Sequence, residues 1–156
     1  EVLIKARQEG LIRHIGFSAH DEDAAVALMD RFDFDSVLFP LNWVNLFHSG
    51  FGKRILEKAV EKDISRMALK AMAKTTIKDG DVKKYQRCWY HPVEDKKLAA
   101  LALRYTLSEP ITAAIPPGEM KFFRWAVETA ENFRPITEEE VRILKKESKD
   151  QVPIFS

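Results

Sequence analysis

The residues of this 156-residue chain best suited to chemistry lie in three places. Cys88-Trp89-Tyr90-His91-Pro92 sets the single thiol three residues from an imidazole, a neighbourhood that can produce a reactive thiolate. No third group to orient the histidine is evident, so packing is the competing explanation. Pro117-Gly118 precedes a helical run, and a helix start offers free N–H groups and a positive dipole end to an anion, with Lys121 and Arg124 one turn in. A surface helix with ordinary basic residues accounts for the same pattern. Lys70, near the end of the apolar run from Ile64 to Ala71, can pair with phosphate oxygens as a point charge or simply be solvated. Metal chemistry is not indicated, because the four histidines lie too far from Cys88 to form a zinc constellation. Gly16-Phe17-Ser18-Ala19 is a poor phosphate loop, which counts against an unrelated open α/β nucleotide binder.

Composition narrows the classes further. Lys plus Arg number 25 against 24 Asp plus Glu, so no broad basic field exists to hold a nucleic-acid backbone. One cysteine excludes an intramolecular disulfide framework and points to a reducing, cytoplasmic compartment. No apolar run approaches the roughly 18 to 20 residues that cross a bilayer, so no membrane partner is expected. With 46% hydrophobic residues the length suits a single domain over residues 1–156. The opening Glu-Val-Leu-Ile-Lys-Ala-Arg reads as a chain entered in mid-helix.

The elements that must position these residues follow from periodicity. Val2, Leu3 and Ala6 form the last turns of a helix closed by Gly10, and residues 11–18 are read as a strand buried toward its C-terminal end. Asp21 or a neighbour caps a helix whose stripe is Ala25, Leu28, Met29 and Phe32. Residues 35–42 make a second strand in which Pro40 marks the end of regular pairing. Ile55, Leu56, Ala59 and Val60 give the next helical stripe, and residues 64–71 a third strand. Residues 73–92 break the rhythm and are read as a long surface loop. Leu98, Leu101, Ala102 and Tyr105 mark a helix ended before Pro110, residues 111–115 a fourth strand, and Phe122, Phe123, Ala126 and Val127 a further helix. Thr137 with Glu140 is a capping box opening the last helix. This alternation of βα units predicts a parallel sheet. Strand starts about 25 to 45 residues apart fit half of a (β/α)8 barrel, though spacing alone does not separate it from a small doubly wound sheet.

Six segments, in register over nearly the whole chain, decide between these. Gly10-Leu11-Ile12-Arg13-His14-Ile15-Gly16-Phe17-Ser18 resembles the G-K-I-R-x-I-G-x-S segment at the fifth barrel strand of the aldo-keto reductases. Residues 35–42 are similar to that family's sixth-strand D-x-V-Q-x-x-Y-N, and Ala68-Leu69-Lys70-Ala71 to its seventh-strand A-x-K-P. Ala102 to Leu107 is similar to A-L-R-W-x-L, the run from Ile111 to Gly118 to the strand ending I-P-G, and Arg134 to Glu140 to the L-T-x-E-E start of the last helix.

The resemblance implies a partial (β/α)8 TIM barrel, about four βα units plus a C-terminal helix. It also implies NADP(H), or alternatively NAD(H), as cofactor, and hydride transfer between nicotinamide and a small carbonyl or alcohol substrate. The family's catalytic Asp, Tyr, Lys and His fall upstream of this segment, so no catalytic residue is carried over. The chain is then expected to be the C-terminal half of a longer gene or a stand-alone remnant. Ser18 aligns with the serine that hydrogen-bonds the nicotinamide carboxamide, although a serine at a helix start needs no ligand. The family asparagine beside it is Ala19 here, and His20 stands next to it as a substitute or a solvated loop residue. Leu38 replaces the family glutamine, which removes a carboxamide contact. Asn42 is retained, and a turn residue ending a strand explains it equally. Lys70 falls where the family often places a lysine or the residues that embrace the pyrophosphate. Lys121 and Arg124 tilt the cofactor toward NADPH through its 2′-phosphate, while Val127 and Glu128 leave the adenine asparagine without a counterpart. Trp43 and Trp89 line a substrate pocket or fill the core. An isolated half-barrel leaves two open strand edges, from which a homodimer is expected. The alternative function is a non-catalytic binding or interaction module.

Overall fold

The computed structural model describes residues 1–156. Helix α1 (Val2–Gln8) ends as anticipated at Gly10, whose φ of 74° lies in the left-handed region that glycine occupies without strain. Strand β1 (Gly16–Ser18) leads into α2 (Glu22–Arg31), and Asp21 caps it by accepting from the Ala24 N–H at 2.7 Å. Strand β2 (Ser36–Pro40), α3 (Trp43–His48), α4 (Lys53–Glu61) and β3 (Ser65–Leu69) follow. A small antiparallel pair, β4 (Ala73–Thr76) with β5 (Tyr90–Pro92), precedes α5 (Lys96–Leu107), β6 (Ala113–Ile115), α6 (Met120–Glu131) and α7 (Glu138–Ser148).

The main sheet is parallel throughout, in the order β1-β2-β3-β6. Each strand lies beside its predecessor, with no reversal of strand order. A doubly wound sheet needs such a reversal, so the observed order is that of a partial barrel. Side chains alternate across the sheet. Val37, Phe39 and Ala68 bury outward against Ala25, Met29, Ile55 and Ala59 of α2 and α4, each large apolar side chain contributing about 1.5–3 kcal/mol. A second core joins Trp43, Leu103, Phe122 and Leu144 from α3, α5, α6 and α7. The opposite face, carrying Ser18, Leu38, Met67, Leu69 and Ile115, has no layer over it, and Ile115 is 37% exposed.

Several sequence readings need correction. The strand read over 11–18 is confined to Gly16–Ser18, and it is an exposed edge, since β1 has a neighbour on one side only. Leu11 is consequently exposed and Ile15 alone of its approach is buried. The other strands are shorter at their ends than read, β6 by two residues at its start. The stretch 73–92 is not wholly a loop, because its two ends pair as β4 and β5. Helix α3 was not anticipated. Leu28, Val60, Phe123 and Val127, read as buried stripe residues, are between 41% and 49% exposed.

The last six residues are tied down. Val152 exchanges hydrogen bonds with Thr75 and Thr76, the Ile154 N–H donates to Asn45 Oδ1 at 3.1 Å, and Ser49 Oγ donates to the Phe155 carbonyl at 3.1 Å. This carries the Phe155 ring to the C-terminal end of the sheet, stacked on Phe51 with centroids 5.2 Å apart.

Candidate functional site

The C-terminal ends of β1, β3 and β6 and the connection between β4 and β5 enclose a cleft of about 310 Å³. Ser18 and His20 enter from the β1 end, Leu69 and Lys70 from β3, and the run from Ile115 to Gly118 from β6. Arg87, Trp89 and Tyr90 close the remaining side. Five of the eight residues anticipated from sequence (Ser18, His20, Lys70, Pro117 and Gly118) thus meet in one place. Parallel βα architecture explains the convergence, since every strand delivers its following loop to the same end.

The cleft is electropositive. None of its lining residues is acidic, and neither Lys70 nor Arg87 has a carboxylate within ion-pair distance. Lys70 adopts φ 65°, an unusual conformation for a non-glycine residue and one typical of functional sites. Its ammonium lies 5.8 Å from the Tyr90 ring centroid and 5.5 Å from that of Phe155. Burial lowers the Lys70 pKa, and burial, then the Lys70 charge, lowers that of His20. The Phe155 ring sits 4.9 Å from the imidazole. Arg87 packs close to Gly118, where an added Cβ would lie 3.4 Å from the Arg87 Cβ. The Arg87 backbone N–H donates to Glu119 Oε1 at 3.1 Å, which fixes the loop against the start of α6 and leaves the guanidinium unpaired.

The other anticipated residues lie elsewhere. Asn42 is fully buried and caps α3, its Oδ1 accepting from the Asn45 N–H at 3.0 Å. Lys121 projects over the Trp125 ring at 4.6 Å, and Arg124 is exposed on α6; neither lines the cleft. Trp43 is core, its indole N–H donating to the Ala73 carbonyl at 2.7 Å, whereas Trp89 is 83% exposed at the cleft. Cys88 and His91 do not form a reactive pair. His91 Nε2 is 2.9 Å from Asp81 Oδ2, and burial, then the Glu119 charge, raises the Cys88 thiol pKa. No group of three or more His, Cys, Asp or Glu side chains is placed to hold a metal, and no helix is long and apolar enough to cross a membrane.

Arg87 was missed from sequence. A single arginine within a polar stretch carries no periodic signal, and only the β4–β5 pairing turns it toward Gly118. Phe155 was missed for the same reason, since nothing local marks a terminal phenylalanine as part of a site 85 residues upstream.

Fold and cleft together define half of a parallel βα barrel with a cleft at the C-terminal strand ends. Solved structures similar to the chain include aldo-keto reductases. The chain superposes on aldo-keto reductase AKR11C1 from Bacillus halodurans with TM-scores of 0.61 (holo form, 20% identity) and 0.60 (apo form, 18%). Each match covers 97% of this chain and 55% or 56% of the other. The thermostable aldo-keto reductase Tm1743, solved with the inhibitor epalrestat, gives 0.60 at 17% identity, covering 93% of this chain and 52% of that one. The chain therefore spans about half the length of the solved structures it matches, and its fold is that of half such a barrel. No protein-family model matches the sequence, and no curated protein matches it.

Proposed function

We propose that the cleft binds the anionic part of a nicotinamide nucleotide, NADP(H) in preference to NAD(H), as the cofactor side of an aldo-keto-reductase-type oxidoreductase. The observation that carries this reading is the pairing of two cations without carboxylate partners, Lys70 and Arg87, beside the start of α6 in a cleft with no acidic lining. An anion there gains two charge-assisted contacts and the helix dipole. Pro117 and Gly118 let the phosphate approach the helix start, Ser18 and His20 receive the nicotinamide carboxamide, and Lys121 and Arg124 supply charge for the 2′-phosphate. Asn42 serves the site indirectly by fixing the β2–α3 turn. When bound, the nicotinamide supplies hydride to a small carbonyl or takes it from an alcohol. The catalytic tetrad is not among these residues, so the chain alone performs no useful carbonyl reduction. A cytoplasmic setting suits the free, buried Cys88 thiol.

Titration with NADPH, followed by nucleotide fluorescence or heat at low and moderate salt, tests the reading. Saturable micromolar binding, weakened by Arg87→Ala, Lys121→Ala or Arg124→Ala and by salt, is the expected result; no binding up to millimolar NADPH overturns it.

A second reading, an interaction module, is favoured by the uncovered inner face of the sheet and its two free edges. In it two copies pair as a homodimer through those edges, and a clean monomer by light scattering at micromolar concentration excludes this arrangement.

A further inference from the structure

Lys70 differs from the carboxylate-paired lysines in a way that nucleotide binding does not require. Lys53, Lys58, Lys62, Lys84 and Lys96 each reach a carboxylate. The Lys70 amine instead sits half-buried between the Tyr90 and Phe155 rings, near the outer limit of cation–π attraction. The titratable and charged groups facing it from the surrounding elements are His20 from the β1–α2 turn, Arg87 from the β4–β5 connection and Tyr90 from β5. None is anionic at neutral pH, since burial pushes the Tyr90 hydroxyl up. Burial disfavours the ammonium form of Lys70, and burial, then the Lys70 charge, disfavours the protonated form of its neighbour His20. An amine, an imidazole and an unpaired guanidinium therefore share one open cleft.

We propose that Lys70 is an imine-forming amine that condenses with small aldehydes entering the cleft, foremost those carrying an anionic group that Arg87 can hold. The neutral Nζ attacks the carbonyl carbon, and the C=O π electrons move to oxygen. A proton passes from nitrogen to that oxygen through the His20 imidazole or water, and loss of water leaves a C=N bond. No oxidant or reductant takes part. Nucleotide and aldehyde compete for the same cleft, but the condensation does not depend on nucleotide binding.

The test treats the whole chain with glyoxylate, an aldehyde bearing a carboxylate, and cyanoborohydride to reduce the imine to a stable secondary amine, and maps adducts by peptide mass spectrometry. Lys70 is expected to react several-fold faster than Lys58 or Lys84, because burial favours its free-amine form, whereas Asp30 and Glu94 hold the other two as ammonium. Neutral glycolaldehyde should favour the same lysine less strongly, and Lys70→Arg should remove the fast adduct. Comparison with Lys58 and Lys84 in the same unmodified chain keeps the test valid even if Lys70→Arg fails to fold. Adducts spread evenly over the lysines, or a slow Lys70, overturn the proposal. NADPH that slows the Lys70 adduct supports both readings. A fast adduct with no NADPH binding removes only the nucleotide reading, and NADPH binding without a fast adduct removes only this one.

Discussion

Arg104 of α5 holds Glu140 of α7 through two parallel hydrogen bonds, Nη1 to Oε1 and Nη2 to Oε2, both 2.8 Å. The guanidinium also donates to the Arg134 and Pro135 carbonyls at 2.8 and 2.9 Å, so it binds the α6–α7 connection as well as the helix. Glu140 simultaneously completes the capping box with Thr137. Because Arg104 is only 6% exposed, removing its partner leaves a nearly buried charge uncompensated. Glu140→Ala should cost about 3 kcal/mol or more, measured by urea unfolding at neutral pH. A loss below about 0.5 kcal/mol, as for a surface pair, would show that the pair contributes little.

The same pair predicts an acid response. The Arg104 hydrogen bonds, with help from Thr137, lower the Glu140 pKa to about 2 from its ordinary 4.5. A depressed carboxylate contributes stability that is fully present above the unfolded value and fades as pH falls toward the folded one. Melting temperature should therefore drop between about pH 4.5 and 2, and Glu140→Gln should flatten that fall. Equal slopes in the two proteins would assign the acid response to other carboxylates.

Gly16 is fixed by packing rather than by its dihedrals. A methyl group there would lie 2.1 Å from Ser36 Oγ and 2.9 Å from the Ser36 carbonyl oxygen, across the β1–β2 pairing. Gly16→Ala should lower stability by about 1–3 kcal/mol. Adding Ser36→Ala should recover only part of the loss, since the carbonyl remains; full recovery would put the whole clash on the hydroxyl.

The parts of this architecture legible in sequence are those whose signals are local. Asp21, Thr137 with Glu140 and Gly10 mark helix ends through groups that cap within a turn, and the structure places them as read. The runs around Val37 and Ala68 mark strands because burial on the outer face demands apolar residues there. Helix α3 was hidden because Leu41 to Phe47 continues the apolar run of β2, so six helical residues show no change of period. Residues 11–15 were over-read because alternation specifies a pattern of burial, and an edge strand with one neighbour does not require pairing along all of it. Of the cleft residues, Ser18 and Lys70 were found through strand-end position and Gly118 through the helix start that follows it, whereas Arg87 and Phe155 reach the cleft from segments with no period of their own.

Phe155 makes a separable prediction. Its ring covers His20 and lies beside Lys70, and burial is the first cause of the lowered His20 pKa. Phe155→Ala should expose more of the imidazole to water and move its titration, followed by NMR, back toward 6.5, while Phe155→Tyr should retain most of the shift. A lowered histidine pKa contributes stability above the unfolded value that is lost as pH falls, so the alanine variant should also be less sensitive to acid near pH 6.5. An unchanged His20 titration in the alanine variant would show that the tail does not set the environment of this ring.

Leu38 supplies the last prediction. It lies in register with Ser18, and both point to the uncovered face, because Val37 and Phe39 on either side are buried against the helices. The family that the sequence resembles usually has glutamine at this position, where it contacts the carboxamide. An apolar side chain offers that group no partner, so a nicotinamide placed at Ser18 loses one hydrogen bond worth about 0.5–1.5 kcal/mol net. Leu38→Gln should tighten NADPH binding by about two- to tenfold. It should leave the affinity for 2′,5′-ADP, which lacks the nicotinamide, unchanged. Equal tightening for both ligands would mean that the substitution acts on the fold of β2. No change for either would place the nicotinamide away from Ser18 and confine nucleotide recognition to the Lys70, Arg87 and α6 end of the cleft.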